Sequence, residues 1–272
     1  MFIWNIADEF ILIFDTSGAT PFATPLLLGM SAAAGISFTG FVLLTRYIAA
    51  SPGITLRGAY KVVELVAGLT LGGLMLSIST GLIWLFGGVS FSAPSIRQGI
   101  LFAFALALGS AVIEEIAFRG ILLRVCDAWF GSWWALGISS AVFGAAHLTN
   151  PHVTVMDVIF ITLEGGLVLG GAFLLTRRIW LAMGIHFMWN FAQGGLFSAP
   201  VSGLSANEGF FRATWNGPDW LTGGAAGLEG SVITLVVALL FAGGMLHLAY
   251  RHGMILPSVR TETRRERKRS LA

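Results

Sequence analysis

Long apolar runs separated by short polar breaks fill most of this chain, and their lengths select helices that cross a membrane. The hydrocarbon core of a bilayer takes roughly 20 apolar helical residues. Seven runs qualify, at about 25–48, 62–87, 98–124, 132–149, 153–175, 179–197 and 231–250. The stretch from Ser198 to Gly230 is rich in Gly, Ser, Asn and Pro and reads as an exposed loop. The pattern predicts an all-α polytopic membrane protein, with about seven transmembrane helices around a polar intramembrane cavity. Three parts follow: an N-terminal segment (1–24) suited to an interfacial helix, a transmembrane domain (25–250), and a basic tail (251–272).

Composition agrees with the pattern. The 272 residues are 56% hydrophobic and 11% charged, against about 25% charged in soluble domains, and the mean hydropathy is +0.81. The lone Cys126 excludes an internal disulfide and a thiolate pair for zinc. Residues 1–14 hold Asp8 and Glu9 and no basic cluster, so they do not read as a cleaved signal peptide. The tail carries Arg260, Arg264, Arg265, Arg267, Lys268 and Arg269, too polar to bury and suited to anionic lipid heads.

Charge also sets an orientation. Arg46, Arg57 and Lys61 follow the first span, Arg119 and Arg124 end the third, Arg177 and Arg178 follow the fifth, and the tail follows the seventh. These are alternate ends, so all can share the cytoplasmic side. Asp8, Glu9, Asp15 and an extracytoplasmic 198–230 loop occupy the other, with Arg97 and Arg212 dissenting. The expectation is an integral protein of a bacterial or archaeal plasma membrane, N-terminus out and C-terminus in. Its partners would be the bilayer and a membrane-associated protein or peptide, with no nucleic acid.

A charge within a span costs about 2.5–3.5 kcal/mol on insertion scales, so each one calls for a reason. The third span contains Glu114, Glu115 and Arg119. Glu115 and Arg119 are four apart and can pair along one helix face. Glu114 lies about 100° around the axis and has no such partner. It suits a general acid or base, whereas a purely structural reading has both acids locking helices together. His147 ends the fourth span, and His186 and Asn190 project from one face of the sixth. Glu164 lies at mid-depth in the fifth span, where it could line the cavity or pair with Arg119. Gly165-Gly166 and Gly170-Gly171 in that span read as packing positions. Asp157, His152, His247 and His252 lie near span ends, where polar residues are ordinary.

Depth gives a check. With the 3–4 hairpin apex near Phe130-Gly131, Glu114 and His147 both lie roughly 25 Å from it, while His186 lies only about 12 Å beyond Arg178. All three are level only if the 124–131 hairpin, with Arg124 and Asp127 at the interface, projects into the cytosol.

The motifs EExxxRG at Glu114–Gly120, FxxxH at Phe143–His147 and HxxxN at His186–Asn190 occur in order on successive helices. Together they resemble the CPBP family, the CAAX-processing and bacteriocin-processing (Abi) intramembrane proteases, over roughly residues 95–195. Gly166–Gly170 is similar to that family's glycine-rich helix. The resemblance implies an intramembrane endopeptidase that hydrolyses a peptide bond of a membrane-associated protein or peptide. Glu114 and His147 would activate a water, His186 and Asn190 would stabilise the oxyanion, and Glu115 with Arg119 would organise the site. Both a glutamate-type and a metallopeptidase chemistry are open. In the second, Glu114, His147 and His186 would hold a divalent metal such as zinc with one position left for water. Cleavage is expected near the cytoplasmic face.

Two other classes compete. A proton-coupled transporter would use Glu114, His147 and His186 as a relay, but such proteins show paired repeats with broken helices, and here the polar residues cluster in one stretch. A non-catalytic immunity or scaffold protein on the same fold would keep the motifs without turnover.

Overall fold

The computed structural model describes residues 23–47, 59–92, 94, 98–205 and 209–258. The predicted interfacial segment (1–24) lies almost wholly outside the described residues, as does the tail beyond Ser258. The chain is an all-α polytopic membrane protein. Its elements are α1 (Ala23–Tyr47), α2 (Lys61–Leu85), β1 (Val89–Phe91), α3 (Gln98–Glu114), α4 (Arg124–Phe130), α5 (Ser132–Ala146), α6 (Val155–Ile161), α7 (Leu167–Thr176), α8 (Trp180–Phe191), β2 (Ala213–Trp215) and α9 (Val232–Arg251). Wide-turned π segments join α3 to α4 (Glu115–Leu123), join α6 to α7 (Thr162–Gly166), and extend α8 (Ala192–Leu196).

Among the described residues, five helices are long and apolar enough to cross a membrane: Pro25–Thr45, Lys61–Leu85, Gly99–Phe130, Val155–Thr176 and Val232–Arg251. The other two predicted spans form shorter helices. At 15 residues, α5 is roughly 22 Å long, below the roughly 30 Å of hydrocarbon. Apolar side chains such as Ile36, Trp134 and Leu240 are more than 70% exposed. Water would penalise that surface, whereas lipid does not.

Lipid tails are as apolar as leucine, so packing rather than burial from water holds the helices together. The closest contact is between α2 and α8. A Cβ on Gly68 would lie 2.4 Å from the Leu181 carbonyl oxygen, and one on Gly184 would lie 2.3 Å from that of Leu65. Backbone therefore meets backbone, and α8 is drawn into the interior with His186 and Asn190 on it. The fifth-span glycines also pack closely: Gly166 abuts Ser140 and Gly170 abuts Leu136, both on α5. An apolar cluster that includes Met75, Leu76, Phe143, Val168, Leu169 and Ile185 fills the space between.

Two expectations need correction. The described residues of 198–230 fold over one end of the bundle and are buried in part, with 216–220 exposed. β2 pairs antiparallel with β1, Val89 opposite Trp215, and Ala199, Val201, Leu221, Leu228 and Glu229 are buried. The glycines serve close backbone packing: Gly223 and Gly227 have φ of 88° and 89°, and a Cβ on Gly227 would lie 2.0 Å from the Pro200 carbonyl oxygen.

The hairpin after α4 does not project either. Asp127 is buried, accepts a hydrogen bond from Ser132 at 2.7 Å and pairs with Arg177. The hairpin apex therefore stays level with the start of α8. Because a π turn holds more residues, it rises less per residue. The nine residues Glu115–Leu123 thus shorten the drop from the glutamates to the apex by about 3 Å, a part of the roughly 13 Å conflict that the 1.5 Å rise created.

Candidate active site

Local structure brings the third-span acids to α8. Glu115 Oε1 accepts from Arg119 Nη1 at 2.9 Å, the pairing expected from their spacing, and also faces His186 Nδ1 at 2.9 Å. Two hydrogen bonds on one oxygen suit a carboxylate. Arg119 is fully buried and its Nη2 donates to the carbonyls of Gly165 (3.0 Å) and Gly166 (3.4 Å). These carbonyls end a π segment. The guanidinium also lies 4.4 Å from the Phe143 ring centroid, a cation–π contact. Glu164 therefore does not pair with Arg119. It is 0% exposed and neither of its oxygens has a hydrogen-bond partner.

Glu114 stands apart from that paired group. Its side chain is 16% exposed, and Oε2 lies 3.8 Å from His186 Nε2, too far for a direct hydrogen bond. That oxygen is buried without a donor.

His147 joins through Phe143, whose ring lies 4.9 Å from His147 and 6.0 Å from His186. His147 Nδ1 is 2.8 Å from the Phe143 carbonyl oxygen. A carbonyl only accepts, so Nδ1 carries the hydrogen and Nε2 presents a lone pair. Asn190 Nδ2 donates to Ser110 Oγ at 2.9 Å, with a second N–H to spare. His147, His186 and Asn190 line one cavity, together with Ser202 and Glu229. Glu114 does not line it and meets it through the His186 ring.

The stretch that bears this geometry, residues 96–192, matches the family described as Type II CAAX prenyl endopeptidase Rce1-like. That match spans about a third of the chain, and over it the sequence is similar to the CAAX-type proteases. No curated protein and no solved structure matches the chain. The match covers all three motifs and supports a CAAX-type protease in general terms, for which the bilayer and a protein or peptide would be the partners.

A zinc site needs three converging ligands. Among the described residues no three His, Cys, Asp or Glu side chains are placed to hold a metal ion. Glu114, His147 and His186 do not fit such a site as arranged, and no step is derived through one.

The cavity walls include Ser202 and Glu229 from the folded loop, so the cavity lies at the loop end of the bundle, away from Arg177 and Arg178. Four polar residues here escaped the sequence reading. Ser110 could have been found, four residues before Glu114 on the same helix face. Gln193 lies one turn beyond Trp189 in a run read as apolar. Ser202 and Glu229 carried no periodic signal, because they sit in a loop.

Proposed function

We propose that the chain is an intramembrane endopeptidase in which Glu114 and His147 activate a water and His186 and Asn190 bind the oxyanion. The observation that carries this reading is the double engagement of Glu115 by Arg119 and His186, which leaves Glu114 Oε2 a buried acceptor without a donor. His147 Nε2 is a second vacant acceptor. Opposite them are donors. With Glu114 and Glu115 ionised and Arg119 charged, the group is neutral once His186 carries both of its protons, and Nε2–H can then be shared with an oxyanion. The spare Asn190 N–H is the other donor. Preorganised donors of this kind contribute several kcal/mol to acyl transfer.

In the reaction, water oxygen adds to the peptide carbonyl carbon while its proton passes to the Glu114–His147 pair. The C–N bond then breaks, and the leaving amine takes that proton. The test is membrane proteomics of cells expressing wild type, Glu114→Ala or His147→Ala. New peptide termini are expected with wild type and with neither variant. Identical termini in all three, with folded protein, would refute the proposal.

A further inference from the structure

Outside the residues assigned to the chemistry, one charged side chain in the cavity wall has no role. Glu229 lies on the turn Leu228–Gly230 before α9 and is 6% exposed. Trp189 Nε1 (3.0 Å) and Gln193 Nε2 (3.1 Å) donate to its Oε1, and Ser202 Oγ (2.7 Å) donates to its Oε2. Three donors suit an ionised carboxylate, and all three are neutral. No Lys or Arg lines the cavity, and among the described residues no ion pair reaches Glu229. Glu164, wholly buried without a hydrogen-bond partner, brings no counter-charge either. A buried carboxylate without a counter-charge is costly, so the fold retains one here against its own stability.

The rest of that wall is largely apolar, with Ile161, Val168, Leu169 and Ile185 facing the space. An apolar passage that ends on an uncompensated carboxylate complements one kind of group, an aliphatic stem with a cationic tip. Oε2 accepts only from Ser202 and so keeps a lone pair for such a tip. His147, His186 and Asn190 line the same space, which puts its occupant next to the reacting bond.

We infer that this cavity is a specificity pocket for a basic side chain of the substrate, lysine or arginine, with Glu229 as its charge partner. The inference rests on the proteolytic reading of the site. Glu229 would thus select substrates, and its three neutral donors keep it aimed while the pocket waits for a cation.

The probe is a set of membrane-anchored peptides that carry either lysine or norleucine at one position, scanned along the sequence. Norleucine keeps the stem and removes the charge. Binding is measured on the full chain bearing Glu114→Ala, and cleavage is measured on the chain with Glu114 intact. At one position, lysine should bind about tenfold more tightly than norleucine, a modest yield for a desolvated charge pair. Adding Glu229→Gln should abolish that preference and leave norleucine peptides unaffected, since glutamine still accepts from Trp189 and Gln193. Equal binding of both peptides at every position overturns the pocket. So does an equal loss for both peptides in Glu229→Gln, which would make Glu229 a support for the loop. The lysine–norleucine comparison needs no substitution at Glu229, so a misfolded variant leaves the test intact. Lysine preference without cleavage would sink proteolysis and spare the pocket. Cleavage without preference would do the reverse.

Discussion

Two Glu–Arg pairs sit in the same bundle and have opposite surroundings. Glu64 and Arg178 meet at the end that bears the Arg177-Arg178 turn, with side chains 10% and 29% exposed. Arg178 Nε bonds both carboxylate oxygens, at 2.8 and 2.9 Å, and these bonds hold the guanidinium above its ordinary value. Glu115 and Arg119 are 0% exposed. Their pair is completed by two carbonyls, an aromatic face and a histidine. An ion pair near water can leave its remaining valences to solvent, whereas one inside the bundle must find protein for each. The elaborate setting of Arg119 therefore reflects its depth, and the useful product of that setting is a fixed His186 beside an unpaired Glu114.

The largest effect is expected from removing the buried cation. Arg119→Ala would remove the permanent counter-ion of Glu115 and leave it only His186; breaking a buried pair in this way costs about 3–5 kcal/mol. A matching fall in Tm, read by tryptophan fluorescence in detergent, should accompany complete loss of proteolysis. A cost below about 1 kcal/mol would mean that water reaches Glu115, and the contrast between the two pairs would collapse.

Ser110→Ala should act on rate more than on stability. It frees the Asn190 amide from the Ser110 hydroxyl and should cost about 1 kcal/mol of stability. Turnover should fall about tenfold with KM unchanged, less than the roughly 100-fold or greater loss on deleting an oxyanion donor outright. Ser110→Thr, which keeps the hydroxyl, should restore kcat. A change confined to Tm would reduce Ser110 to a packing residue.

Much of this architecture was legible because lipid punishes polar residues, so each one inside a span carries information. The Glu115–Arg119 pair followed from a spacing of four. Three features were not legible. Hydropathy does not record helix winding, so the π segments that shorten the third span and end beside the Arg119 guanidinium were hidden. The glycines of the 198–230 loop look alike whether they give flexibility or let backbones touch. Glu229 sits in that loop, where a charge signals nothing until the fold carries it inside.

The smallest effect is expected at the other pair. Arg178→Ala removes a partly exposed ion pair, and such pairs contribute about 1 kcal/mol or less. The Glu64 carboxylate left behind can turn toward the water or lipid headgroups that already reach Arg178. Arg178 is eight residues from His186 along the chain, so a shift at the start of α8 could in principle reach the site. The backbone contact of Gly184 with Leu65 and Gly68 lies between them and pins the helix. Arg178→Ala should therefore lower Tm slightly and leave kcat and KM as they are. Gly184→Ala, whose Cβ would lie 2.3 Å from the Leu65 carbonyl oxygen, serves as the contrasting control. If Arg178→Ala alone lowered kcat, α8 would be positioned from its ionic end, and the glycine contact would not isolate the site from that end.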